Sequence, residues 1–106
     1  MTRYAVALDE DATEEEVCHH LDLITDVTTE TPPQCVDCIT EGTRWIHLRQ
    51  CLVCGRVGCC DDSPRRHATA HWVASGHPVI RSREPGETWA WCYADELPLV
   101  PIDGRL

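Results

Sequence analysis

Two Cys-x-x-Cys pairs constrain this chain more than any other feature. Cys35 and Cys38 stand in "CVDC", and Cys51 and Cys54 stand in "CLVC". Such a pair places two sulfurs on one tight turn, within reach of a single ion. Zinc takes four ligands tetrahedrally, with sulfur at about 2.3 Å and nitrogen at about 2.0 Å. Each pair therefore needs two more ligands. Cys59, Cys60, His67, His71 and His77 follow within the stretch from Cys51 to His77. Spacing leaves open which pair takes which histidine, and whether Cys59 or its neighbour Cys60 is the ligand. Two pairs with an HxxxH and a later histidine point to at least two structural zinc ions.

The chain has 106 residues. That is one domain with a limited core, for which a covalent or metal staple is expected. Eight cysteines in a chain this short are a strong signal, for which disulfides or a redox dithiol are the alternatives to metal. The first 20 residues carry the acidic run "DEDATEEEVCHH" where a secretory leader needs an apolar one. No segment approaches the roughly 20 apolar residues of a membrane span. The expected location is a reducing compartment, the cytoplasm, with no membrane association. In such a compartment clustered cysteines bind metal more often than they pair.

Net charge is −9 and unevenly spread. Residues 1–40 carry one Arg against ten acids, residues 41–83 seven Arg against three acids, and residues 84–106 one Arg against five acids. The cysteine-rich centre is thus a mildly basic island between acidic ends. Lysine is absent, which excludes lysine-based chemistry. No Ser/His/Asp arrangement, phosphate-binding loop or paired-carboxylate pattern is present, so a non-catalytic protein is expected.

"YAVAL" reads as a short strand or arm, and "TTETPPQ", Thr28–Gln34, as a linker. "TRWIHLRQCLV" alternates as a strand, with Trp45, His47 and Arg49 on one face. "HPVIRS" and "ETWAWCY" read as two further strands joined by the turn "REPGE". "LPLVPIDGRL" reads as an extended tail. One helix is predicted, with Ser63 as N-cap, Pro64 in the first helical position and Gly76 just past the end. His67 and His71 then share one helix face. Arg65 and Arg66 fall in its first turn, where the helix dipole disfavours cations.

The run "CVDC…CLVCGRVGCC…HATAH…GHPV…WCY" resembles the UBP-type zinc finger, the ubiquitin-tail-binding module of ubiquitin-specific proteases and of a histone deacetylase. The likeness covers roughly Cys18 to Tyr93. It implies an α+β fold: a small zinc-stabilised domain with a twisted antiparallel sheet, one or two helices and cross-braced zinc sites. It implies that Cys35, Cys38, Cys59 and His67 share one ion, and that Cys51, Cys54, His71 and His77 share a second. Family members with three ions add an upstream "CxH" and a downstream "WCYxC". Here Cys18 and His20 match the first, Cys92 matches the second, and Asp95 stands where the family has its last cysteine. Carboxylate oxygen is an acceptable zinc ligand, so three zinc ions are expected. Cys60, His19 and His47 are left over. The implied organisation is an acidic arm over residues 1–17, the zinc finger over 18–95 and a tail over 96–106 that packs on or extends it.

In that family an Arg after "CG" holds the free carboxylate of the ubiquitin tail. A Trp before the second knuckle and the aromatics of "WCY" sandwich its glycines. At the matching positions here "CGR" becomes Cys59, Cys60 and Asp61, and the Trp becomes Arg49. An aspartate repels a carboxylate, so tail capture by the family's mode is not expected. Trp45, Arg49, Trp91 and Tyr93 are the expected ligand-binding residues for another protein or peptide partner. Two other readings compete with this binding module. One is a nucleic-acid-binding zinc protein using Arg44, Arg49, Arg56, Arg65 and Arg66, which the net negative charge opposes. The other is a zinc- or thiol-responsive protein in which Cys60 reports redox state.

Overall fold

The computed structural model describes residues 4–6, 18, 20–25, 27 and 33–101. Six strands form one antiparallel sheet: β1 (Tyr4–Val6), β2 (Leu48–Cys51), β3 (Val57–Cys59), β4 (Val79–Ser82), β5 (Ala90–Cys92) and β6 (Leu97–Pro101). Their spatial order is β1-β6-β5-β4-β2-β3. Two helices, α1 (Val36–Glu41) and α2 (His67–Ser75), and a 3-10 turn at Leu21–Leu23 complete the α+β architecture. Most of the acidic arm, His19, Thr28 to Pro32 of the linker and the tail after Pro101 lie outside the described residues. None of the described helices is long and apolar enough to cross a membrane.

Four elements differ from the sequence expectation: β2 and α2 begin later than expected, and β3 and α1 have no counterpart in it. The strand expected to begin near Thr43 starts only at Leu48. The backbone N–H of Ile46 is donated to the Ser63 hydroxyl at 2.8 Å instead of to a neighbouring strand. That same bond removes Ser63 from its expected capping role. Helix α2 therefore begins at His67, after Arg66 turns the chain through the left-handed region with φ 47°. Its first N–H is satisfied by a sulfur: His67 N donates to Cys59 Sγ at 3.2 Å. Helix α1, not foreseen in the sequence, is capped the same way, with Cys38 N donating to Cys35 Sγ at 3.4 Å. At the other end of α2, Gly76 adopts φ 77° and returns its N–H to the Trp72 carbonyl, as expected of a helix-terminating glycine.

Two buried clusters hold the sheet. One is ordinary: Tyr4, Ile24, Leu52, Val79, Ala90 and Leu99, with Cys18 and Cys92. It ties β1 and the Leu21–Leu23 segment to the central strands. The other consists of Cys35, Cys38, Leu48, Val57 and Cys59, with Trp45 packed against it. Three of its five buried members are cysteines. Helix α2 lies over β2 and β3 so closely that a Cβ on Gly58 would stand 2.7 Å from the backbone N of Ala68. Only glycine permits that approach.

Candidate metal centre and cavity

Three groups of four ligand atoms form among the described residues: Cys35, Cys38, Cys59 and His67; Cys51, Cys54, His71 and His77; and Cys18, His20, Cys92 and Asp95. Within each group the atoms lie within 4.8 Å of one another. These are the twelve residues and the three partitions that the resemblance implies.

The first group is assembled from both helices and β3. The Cys35, Cys38 and Cys59 sulfurs lie 3.3, 3.3 and 3.4 Å from His67 Nδ1. Cys38 and Cys59 are 3.8 Å apart. A tetrahedral zinc with the usual bond lengths sets sulfurs about 3.8 Å apart and sulfur from nitrogen about 3.5 Å. The donor atoms are already spaced for such an ion. The three cysteines are fully buried. Burial pushes the Cys35 thiol up to about 12 and raises that of Cys59. These two thiols resist ionising alone, and a dication makes thiolates of them. Burial acts to raise Cys38 too, but hydrogen bonds with Thr43, Cys35, Cys59 and His67 outweigh it and hold that thiol low. On its far side His67 Nε2 meets Glu41 Oε2 at 3.1 Å, and Arg65 Nε holds the other Glu41 oxygen at 3.0 Å.

The second group lies where the β2–β3 turn meets α2. Cys51 Sγ is 3.7 Å from His77 Nδ1, and Cys54 Sγ is 3.4 Å from His71 Nε2. The two rings meet edge-on at 5.3 Å. Burial, with His77 and Arg56 nearby, lowers the His71 pKa below the ordinary imidazole value, so its ring is neutral and ready to ligate at pH 7. Cys54 is exposed, and burial raises the Cys51 thiol. Since α2 carries His67 to one group and His71 to the other, and the hairpin carries Cys59 to one and Cys51 and Cys54 to the other, the two groups are cross-braced.

The third group joins the N-terminal segment to β5. Cys92 Sγ lies 3.5 Å from His20 Nδ1 and 3.7 Å from Asp95 Oδ2. His20 Nδ1 and Asp95 Oδ2 are 2.9 Å apart, in direct hydrogen-bonding contact and closer than the roughly 3.4 Å that a shared tetrahedral ion would set. Burial pushes the Cys18 thiol up to about 12. The three donor sets, of sulfur, imidazole and one carboxylate, suit zinc.

Cys60 belongs to none of these groups. Its sulfur sits 3.6 Å from the Ser63 hydroxyl. Burial acts to raise this thiol, but hydrogen bonds from Ser63 and from backbone N–H groups outweigh it and hold it low. His47 is exposed and contributes only its carbonyl, which accepts from Cys60 N at 3.0 Å.

Beside α2, on the sheet face shared by Arg49, Ile80 and Trp91, lies a cavity of about 290 Å³. Arg49, Trp91 and Tyr93, singled out in the sequence, line it together with Asp61, Asp62 and Trp89. Trp45 does not line it. Its ring packs on the buried cysteine cluster instead, because the chain turns at Ile46 before β2 begins. Trp89 stands in the cavity wall, and Arg49 lies over its ring with Cζ 4.6 Å from the centroid. The position was legible as an aromatic two residues before Trp91 on an alternating strand, but not its pairing with Arg49. Tyr93 stacks on Trp72 of α2 at 5.9 Å. The Thr69 hydroxyl donates to Asp61 Oδ1 at 2.5 Å and lies 3.3 Å from the Tyr93 hydroxyl. Burial raises the Tyr93 phenol pKa, and the Asp61 charge adds to the rise while Arg49 opposes it.

The model of the zinc finger in ubiquitin hydrolases and other proteins matches residues 35–100. A protein of Rhodopseudomonas palustris, known from a solution NMR structure, is similar to this chain at 48% identity and a TM-score of 0.70, over 78% of this chain and 80% of that one. No functionally curated protein matches the chain.

Proposed function

Because the chain belongs to the family of zinc fingers found in ubiquitin hydrolases and other proteins, we propose that it is a non-catalytic module that holds three zinc ions and binds a protein or peptide partner through the cavity beside α2. The observation that carries this reading is the cavity's position. Its lining comes from β2, β4 and β5 and from the segment that follows β3, and Cys51 of β2 and Cys92 of β5 tie two of those strands into the cysteine and histidine groups. When bound, zinc supplies cross-links and the charge that makes thiolates of buried thiols. Each group offers four protein ligand atoms, the closed set of a structural site, whereas a catalytic zinc keeps a position for water. None of the eight cysteines is paired in a disulfide, and clustered unpaired cysteines suit a reducing compartment, the cytoplasm.

Three of the five arginines of the nucleic-acid reading are engaged within the chain. Arg56 pairs with Asp37 at 2.6 Å, Arg65 with Glu41, and Arg49 stacks on Trp89. That leaves little of a phosphate-binding face. The test is a pull-down with zinc-loaded protein, repeated with the Trp91→Ala variant and across a salt series. A protein partner lost with Trp91→Ala and retained from about 50 to about 200 mM salt supports the reading. Capture of nucleic acid that falls steeply over that range overturns it.

A further inference from the structure

The lining of the cavity says which chemistry a partner brings to it. Its volume of about 290 Å³ lies at the small end of ligand pockets, which run from about 300 to 1,000 Å³. That size suits one side chain. Trp89, Trp91 and Tyr93 supply aromatic walls, and Asp61 and Asp62 supply carboxylates. Aromatic faces attract a cation lying within about 6 Å of the ring centre. The molecule already contains one such contact, Arg49 over Trp89 at 4.6 Å. Arg49 is also tied down, with Nη1 donating to the Leu48 carbonyl at 2.9 Å. Asp61 is held on the same wall as Tyr93 through the Thr69 hydroxyl. One guanidinium against two carboxylates leaves the lining net negative.

We infer that this cavity takes the cationic head of a partner side chain, the ammonium of a lysine or the guanidinium of an arginine, between its aromatic rings and the carboxylates of Asp61 and Asp62. The inference rests on the binding-module reading above. It assigns a ligand of opposite charge to the terminal carboxylate that a ubiquitin tail would present. The aromatic walls supply cation–π attraction, and the carboxylates supply charge-assisted hydrogen bonds to the N–H donors of the head.

The experiment follows the indole N–H signals of Trp89 and Trp91 by NMR in the zinc-loaded full chain. The probes are blocked tripeptides with identical flanks and a central lysine, trimethyl-lysine, arginine or acetyl-lysine, and a peptide ending in Gly-Gly with a free carboxylate. The cationic peptides are expected to shift both signals saturably at millimolar concentration, and the acetyl-lysine peptide to bind about tenfold more weakly. Their ranking identifies the head, since trimethyl-lysine keeps the charge but offers no N–H to a carboxylate. The Asp61→Asn, Asp62→Asn double variant should weaken binding about tenfold. Arg49→Gln removes the resident cation and should strengthen it. A cavity for carboxylates would respond to both variants in the opposite direction. Equal binding of the lysine and acetyl-lysine peptides, or a preference for the Gly-Gly peptide, overturns the inference and leaves the binding-module reading standing. Indole signals that none of the peptides moves overturn both.

Discussion

Glu41 sits behind His67, its Oε2 3.1 Å from His67 Nε2, while Nδ1 of the same ring faces the sulfurs of Cys35, Cys38 and Cys59. A carboxylate on the outer nitrogen keeps the proton there and leaves the inner nitrogen free to ligate. Hydrogen bonds to His67 and, next, to Arg65 hold the Glu41 carboxyl below the ordinary carboxylate range despite some desolvation, so it stays an acceptor at neutral pH. Glu41→Ala is expected to weaken zinc at this group by roughly 10- to 100-fold, and Glu41→Gln by less. Competition against a chromophoric chelator measures it. Unchanged affinity in Glu41→Ala would remove Glu41 from the site.

Metal removal should unfold the centre of the chain. Structural zinc contributes about 10–16 kcal/mol of apparent binding free energy in zinc-finger peptides, against a net stability of about 5–15 kcal/mol for a domain. The cluster of Cys35, Cys38 and Cys59 has too few aliphatic neighbours to replace that contribution. Acid should act in the same direction. A thiol pushed up to about 12, as at Cys35 and Cys18, is protonated at neutral pH without metal, so zinc must displace its proton. Binding therefore strengthens as pH rises and weakens as it falls. A chelated protein that keeps a dispersed NMR spectrum, or zinc loading that releases no protons into the buffer, would contradict this.

Much of this was legible in the chain, and the rest was hidden for identifiable reasons. The two Cys-x-x-Cys pairs and the His67/His71 spacing survive any local distortion, because ligand identity depends on residue type and offset. The boundary of α2 was not legible. Ser63 is a better N-cap by residue type than a distant cysteine, but its hydroxyl is taken by Ile46 N, and Cys59 Sγ caps the helix instead. Helix α1 was missed because its cap is a ligand sulfur from Cys35 rather than a polar side chain. Trp45 and Trp89 could not be told apart by strand alternation, since the turn at Ile46 removes Trp45 from the sheet face that Arg49 occupies. The role of Asp61 as an acid in the cavity wall was visible in "CCD", but its tie to Tyr93 through Thr69 depends on how α2 docks.

That docking depends on Gly58. An added methyl would meet the backbone of Ala68 at 2.7 and 3.0 Å, where no flexible side chain can yield. Gly58→Ala should push α2 off β3, costing about 1–3 kcal/mol as overpacking does. In a domain of this size each kcal/mol lowers Tm by about 4–8 °C. Because the shift moves His67 away from Cys59, zinc at the first group should also loosen. Thermal unfolding and chelator competition on the same sample check both effects. A variant with unchanged Tm would show that the helix stands farther from the sheet.

Asp95 should decide whether the N-terminal segment stays docked. It offers the fourth donor beside Cys18, His20 and Cys92, and Cys18 and Cys92 share one buried cluster with Tyr4 of β1. Asp95→Ala is expected to reduce the stoichiometry from three zinc ions to two by native mass spectrometry, and to raise amide exchange in β1 while α2 stays protected. Asp95→Cys should restore the third ion and hold it more tightly. Three ions retained in Asp95→Ala, or two in the wild type, would remove Asp95 from the ligand set.

The last prediction concerns the ubiquitin tail. A cation meeting a terminal carboxylate gains a charge-assisted contact of about 1.5–3 kcal/mol. Here Asp61 lines the cavity where the family's arginine is expected, and the nearby guanidinium of Arg49 is already stacked on Trp89 and bonded to the Leu48 carbonyl. Titration with ubiquitin, or with a peptide ending in Gly-Gly, should therefore give no saturable binding below millimolar concentration. Asp61→Arg removes the repulsion and supplies a donor beside Tyr93, so it should create measurable binding that disappears when the peptide carboxylate is amidated. The gain should stay partial, because Arg49 still occupies the position of the family's stacking tryptophan. Tight binding of the wild type that depends on the free carboxylate would refute the prediction. It would mean that Arg49 leaves Trp89 to anchor the tail, which an Arg49→Gln variant would expose by losing that binding.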